Sequence, residues 1–297
     1  MAPFDYEAFG LVWRTPFPCA ALRLASPGGV PDVTIEEGEV PRTLDEPHLS
    51  EESFDAKPGR FLLRGGSRAG RLFGAHGGLT VQRNPGADDG VLSRYFTDRV
   101  MAAALRQRGF FVLHANAAAT PLRAVVVTGE SGAGKSTTLA ALLDRGLPML
   151  ADDICALTLG ADGRAMVVPG IAQLHLTEEA AAGLGVAIDS YPLQPWRRMK
   201  AAIPTHTRMA ECPVALAAIY VLSLRDDADA IGVRVTALDG AAKFGALQRA
   251  IYGPLLPDEQ PALFPLAASV TAHVPIVRIE RPRGRWSIDA VLREILA

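Results

Sequence analysis

Gly129, Gly134, Lys135 and Ser136 carry the strongest chemical signal in this chain. They stand at the spacing G-x(4)-G-K-S directly after the β-branched run Val125-Val126-Val127-Thr128, so strand, loop and helix are expected in that order. Such a loop turns successive backbone N–H groups toward phosphate oxygens. The candidate nucleotide cradle is Gly129, Glu130, Ser131, Gly132, Ala133, Gly134, Lys135, Ser136 and Thr137. Lys135 is placed to set a point charge on the terminal phosphates, and the Ser136 hydroxyl to ligate Mg²⁺. The following helix repeats apolar residues at Leu139, Leu142 and Leu143 and stops at Gly146, which gives it a buried face and directs its positive end at the anion.

A second chemical group follows seventeen positions after Lys135, where the apolar run Pro148 to Ala151 ends in Asp152-Asp153. Carboxylates delivered by a strand beside a phosphate loop order Mg²⁺ and a nucleophile. Read as a strand end, adjacent side chains diverge. Asp152 is then expected to orient or deprotonate an acceptor hydroxyl, with Asp153 joining Ser136 at the metal. The plain alternative is a turn or a helix cap. The next run, Ile154 to Leu159, reads as strand and not helix.

These segments resemble one family. The stretch from Gly129 to Asp153, GESGAGKSTTLAALLDRGLPMLADD, is similar to the core of the HPr kinase/phosphorylase superfamily, as is Leu113-His114-Ala115 upstream. Tyr6 to Gly10, Pro31 to Ile35, Arg106 to Gly109 and Val168 to Gly170 extend the similarity toward the HPr-kinase-like proteins of bacterial peptide-biosynthesis clusters, some of which phosphorylate a serine of a lasso-peptide precursor. The resemblance implies an α/β fold: a P-loop HPr-kinase-like C-terminal kinase domain behind a smaller, mostly β N-terminal domain. It implies ATP and Mg²⁺ as cofactors and a precursor peptide as partner. It also implies a phosphate-side or hydroxyl contact for His114, which by its residue type alone reads as an ordinary strand histidine.

Two departures bear on the reaction. Thr137 stands where bifunctional HPr kinases carry Glu, and Val167-Val168-Pro169-Gly170-Ile171 lacks the acid and arginine of their downstream Glu-x-Arg-Gly-x-Gly signature. HPr as substrate and the reverse, phosphorolytic reaction are therefore not expected.

The elements that must position these groups follow from the rest of the chain. Its 297 residues, 49% hydrophobic, allow two domains and a sizeable core. A net charge of −2 offers no basic footprint for nucleic acid. The three widely spaced cysteines, Cys19, Cys155 and Cys212, read as reduced structural thiols. The start MAPFDYEAFG has no signal-peptide pattern, and the longest strongly apolar run, Pro213 to Leu222, is too short to span a membrane. A cytoplasmic protein without membrane partners is expected, with homo-oligomerisation left open.

Residues 1–86 read as a small β-rich domain, with short strands around Val33–Ile35, Arg60–Leu63, Arg71–Phe73 and Leu79–Gln82, and residues 87–297 as the kinase domain. Between Asp32 and Asp55 nine acids face one base, Arg42, which reads as a solvated surface or as a dock for a basic leader. A linking helix over 88–108 carries the stripe Leu92, Phe96, Val100 and Ala103, and a last helix starts at Ser287 and buries Ile288, Val291, Leu292 and Ile295. Phosphoryl transfer uses a further cation. The basic segment with Arg197, Arg198, Lys200 and Arg208 offers one, Lys200 first among them, against the reading of a surface loop. Arg278, Arg281, Arg283 and Arg285 read as a solvated edge or a nucleotide contact.

Three readings remain at this level. The first is an ATP-dependent kinase for a serine of a ribosomally made peptide. The second is a kinase for a small acceptor such as free serine, and the third a nucleotide-dependent switch or scaffold ATPase in a biosynthetic complex. The adjacent acids favour a kinase, because a switch needs to position water and not a hydroxyl.

Overall fold

The computed structural model describes residues 3–75, 77–121, 123–191, 193–194, 199–227, 232–253 and 258–297. Contacts divide the chain into two compact units, Met1–Val112 with Tyr252–Pro265, and Leu113–Ile251 with Leu266–Ala297. The division therefore falls later than the expected boundary at 86/87. The reason is the linking helix: Phe96 meets Trp13 and Phe17 edge-on at 5.6 and 6.0 Å between centroids, so the helix belongs to the N-terminal core.

The first unit holds one nine-stranded sheet. Its strands are β1 (Phe4–Ala8), β2 (Leu11–Thr15), β3 (Arg23–Leu24), β4 (Val33–Glu37), β5 (Leu49–Ser50), β6 (Phe54–Lys57), β7 (Arg60–Arg64), β8 (Gly70–Ala75) and β9 (Gly78–Arg83), in the order β3-β1-β2-β4-β9-β8-β7-β6-β5. Side chains of β8 alternate between buried and half-buried, as a sheet with one covered face requires. The acidic stretch is partly neutralised within this unit. Asp55 is buried and paired with Arg64 at 2.5 Å, and Glu37 and Glu51 pair with Arg83 and Arg99.

The linking helix is three pieces: α1 (Asp89–Tyr95), a π-helical turn over Phe96–Val100, and α2 (Met101–Gln107). Asp88 caps α1 by accepting from the Val91 N–H at 3.0 Å. The wider turn shifts the helical register, so Leu92, Phe96 and Val100 are buried as expected but Ala104, not Ala103, continues the stripe.

The second unit runs β10 (Phe111–Ala119), β11 (Ala124–Gly129), α3 (Lys135–Asp144), β12 (Met149–Ala151), β13 (Ile154–Leu159), β14 (Ala165–Val168), β15 (Gln173–Thr177), α4 (Glu178–Leu184), β16 (Leu193–Gln194), β17 (Lys200–Pro204), β18 (Val214–Arg225), β19 (Arg234–Leu238), α5 (Gly240–Arg249), α6 (Gln260–His273), β20 (Ile276–Pro282) and α7 (Ile288–Leu296). The helix α6 begins in the first unit and ends in the second. An eight-stranded sheet follows the order β11-β10-β13-β14-β18-β20-β19, with β12 on β10, and the ladder closes because β11 also pairs in parallel with β18. A separate three-stranded sheet runs β15-β17-β16.

The core of this unit brings Leu139, Leu142 and Leu143 of α3 together with Val291, Leu292 and Ile295 of α7 and Leu174 and Leu176 of β15. Burying side chains of this size is worth about 1.5–3 kcal/mol each. α3 also packs against α4. The last helix buries the four residues that its periodicity requires. Among the described residues no helix is long and apolar enough to cross a membrane.

Candidate active site

The strand β11 runs straight into the glycine loop, and its backbone geometry explains the residue choice. Gly129 has φ 137°, and a Cβ there would lie 2.2 Å from the Leu222 carbonyl oxygen of the neighbouring β18. Gly134 precedes α3 at φ 106°, in the left-handed region. Lys135 folds back along the loop, its ammonium donating to the carbonyls of Gly129 at 2.8 Å and Glu130 at 3.3 Å. It is buried, as is Ser136.

From the other side Arg281 of β20 closes the loop. Its guanidinium donates to the Ala133 carbonyl at 2.7 Å and the Gly132 carbonyl at 3.3 Å. Burial, then the neighbouring Arg283, lowers its pKa from the usual arginine value. Of the basic cluster, Arg281, Arg283 and Arg285 line one cavity with the loop and Arg278 does not; Arg283 and Arg285 remain exposed, and Arg283 also pairs with Asp226.

That cavity has a volume of about 580 Å³. Its lining includes Ser131, Gly132, Gly134, Lys135, Ser136, Thr137, His114, Asp153, Lys200, Glu179 and the three arginines. Five cationic side chains against two carboxylates give the lining a positive balance, which suits an anion. Gly129, Glu130 and Ala133 belong to the same loop but not to the lining. Lys200, at the start of β17, donates to the Ser136 hydroxyl at 3.0 Å. Arg208 does something else, donating to the Leu143 carbonyl near the C-terminal end of α3. Arg197 and Arg198 lie outside the described residues.

The acid pair departs from the expectation. Asp152 and Asp153 do not continue an extended strand: β12 ends at Ala151, and Asp153 takes the left-handed conformation at φ 66°. The backbone N–H of Asp153 donates to the Asn116 side chain at 3.1 Å, which holds the turn. The alternation rule for strands therefore does not apply, and the two carboxylates are separated by a turn. Asp153 lines the cavity with His114, whose Nε2 lies 3.7 Å from its Oδ1. Asp152 sits behind the wall, its side chain fully buried. Its Oδ2 accepts from the His175 backbone N–H at 2.8 Å and lies 2.9 Å from His175 Nδ1. Its Oδ1 is buried with no hydrogen-bond partner among the described residues.

His175 and Asn116 were not singled out from the sequence, nor was the loop-closing role of Arg281. A polar residue inside a short apolar strand was the one signal available for His175. Ligand atoms of Asp152, Asp153 and His175 lie within 4.8 Å of one another. The donor set suits a cation, because a buried carboxylate oxygen without a partner is costly unless charge is supplied to it.

Fold and site together define a mixed α/β chain of two units, whose second unit carries a strand–loop–helix cradle at the edge of a cationic cavity. No protein-family model matches the chain, and no curated protein matches it. Among solved structures it is similar to the Hpr(Ser) kinase/phosphatase from Coxiella burnetii, at 14% identity and a TM-score of 0.34, over 62% of this chain and 87% of that one.

Proposed function

We propose that the protein is an ATP-dependent kinase that passes the γ-phosphoryl group to a serine hydroxyl of a ribosomally made, lasso-type precursor peptide. The observation that supports it is the single cavity in which the glycine loop, Lys135, Ser136 and Lys200 meet the His114–Asp153 pair. A polyphosphate needs the first set and a reacting hydroxyl needs the second. The peptide as acceptor is supported by the resemblance in the sequence.

In this reading the loop N–H groups and Lys135 hold the β- and γ-phosphates. Lys135 leaves the Gly129 and Glu130 carbonyls to do so. Lys200 neutralises charge on the group in flight, and Arg281 keeps the loop from opening. The acceptor hydroxyl is oriented by Asp153 with His114, which reach the cavity, and not by Asp152, which does not. Ser136, Asp152 and Asp153 would hold Mg²⁺, which supplies charge neutralisation between the phosphates. Asp153 can serve both ends because it alone of the pair lines the cavity.

The test is direct. Purified protein is incubated with ATP, Mg²⁺ and candidate precursor peptides or free serine, and products are weighed by mass spectrometry. A phosphate added to a peptide serine, absent with Lys135→Ala, is expected; ATP turnover with no phosphorylated acceptor would replace the reading with a nucleotide switch.

A further inference from the structure

We propose that Trp286 is the stacking platform for the nucleobase, with α4 and the start of α7 forming the base subsite of the same cavity. This rests on the nucleotide reading above and adds the group that recognises the nucleoside end. Trp286 is large and apolar, yet half of it is exposed, and it lines the cavity. The lining also includes Leu176, Ala180, Ile288 and Val291, so the cavity offers apolar side chains as well as cationic ones. A phosphate cradle alone has no use for such a wall, whereas a nucleotide has a flat aromatic base to bury.

The ring is seated by a particular residue. At Gly183 of α4 an added Cβ would lie 2.4 Å from Trp286 Cη2 and 2.5 Å from Cζ3. The indole therefore rests on bare helix backbone. Beside it, the Ser287 hydroxyl oxygen is buried without a hydrogen-bond partner among the described residues, although it stands at the start of α7 where a capping bond is usual. It is a hydrogen-bonding group at the wall left for a ligand edge.

A base and not a peptide side chain is the occupant expected here, because in-line transfer puts acceptor and nucleoside at opposite ends of the phosphates. The groups proposed for the acceptor, His114 and Asp153, belong to β10 and the turn after β12, whereas Trp286 belongs to the segment between β20 and α7. Stacking on one aromatic ring is tolerant of base identity, so ATP and GTP should both gain from it.

The experiment compares ATP with inorganic tripolyphosphate by calorimetry in the presence of Mg²⁺. Wild type is expected to bind both, ATP more tightly. Trp286→Ala should weaken ATP by about 5- to 150-fold, the range for losing one stacked base, and leave tripolyphosphate binding essentially unchanged, which also shows that it is folded. Trp286→Phe should keep most of the ATP affinity. Gly183→Ala should act like Trp286→Ala, because alanine favours the helix while displacing the ring. Equal ATP affinity in wild type and Trp286→Ala overturns the inference, and so does equal loss of both ligands. An unchanged ATP affinity with a raised KM for peptide assigns the wall to the acceptor and overturns it too. Tripolyphosphate binding without any advantage for ATP leaves the cradle standing and removes the base subsite. Binding of neither ligand removes the nucleotide reading itself and this inference with it.

Discussion

His175 holds Asp152 through a single carboxylate oxygen. Its backbone N–H and its ring Nδ1 both address Oδ2, at 2.8 and 2.9 Å, and Oδ1 is left buried without a partner among the described residues. One oxygen is thus fixed in place, and the other is buried with nothing to offset its charge. On the proposed reading a cation fills that need, and the two acids then differ in role.

Asp152→Asn should fold, bind nucleotide and need more Mg²⁺, with the half-saturating concentration raised by about tenfold or more. His175→Ala should move the same quantity in the same direction, since loss of a residue that orients a ligand typically costs about 10–100-fold. Asp153→Asn should raise the Mg²⁺ requirement too and, unlike those two, should still lower the transfer rate at saturating Mg²⁺ by about 10²–10⁴-fold, the usual contribution of a positioned base. A Mg²⁺ titration of rate for the three variants separates these outcomes. Normal transfer by Asp153→Asn together with dead Asp152→Asn would restore the opposite assignment.

Lys200 and Ser136 give a second test. With its ammonium 3.0 Å from the hydroxyl, Lys200 places positive charge beside an atom proposed to ligate a cation. Lys200→Met should therefore lower the Mg²⁺ concentration needed for half-maximal rate. It should also lower the maximal rate by about 10²–10³-fold, as for other lost transition-state charges. A rise in Mg²⁺ demand would show that Lys200 does not compete for Ser136.

The N-terminal unit has its own test. Phe96 is fully buried in the π-helical turn, edge-on to Trp13 and Phe17. Phe96→Ala should cost about 3–5 kcal/mol of stability, read as a lower urea midpoint for that unit's unfolding. A loss below about 1 kcal/mol, the range of a surface change, would mean that the linking helix does not belong to this core.

The thiols should separate by burial. Cys19 and Cys155 are buried, and desolvation pushes each pKa up to about 12, whereas Cys212 is exposed. At pH 8 the native protein should react with a thiol reagent at one site, mapped to Cys212 by peptide mass, and at all three after denaturation. Rapid labelling of Cys155 in native protein would show that its strand opens.

The local features were legible from the chain itself. The glycine turn and the buried face of the last helix depend on residues a few positions apart, where backbone sterics and helical period decide the outcome. The strand reading of Asp152-Asp153 failed for a long-range reason, since the left-handed Asp153 is held by the Asn116 side chain 37 positions away. Everything that makes the loop a site is long-range. His175 reaches Asp152 across 23 positions, Lys200 reaches Ser136 across 64, and Arg281 reaches Ala133 across 148. Those pairings follow from which strands lie side by side and which helices flank α3, and packing of the whole unit decides that. The sequence by itself determined the strand, glycine turn and helix that run from β11 into α3. Only the tertiary structure decided which carboxylate, which lysine and which arginine face that turn, because side chains so far apart in the chain meet only once the sheet and its helices have closed.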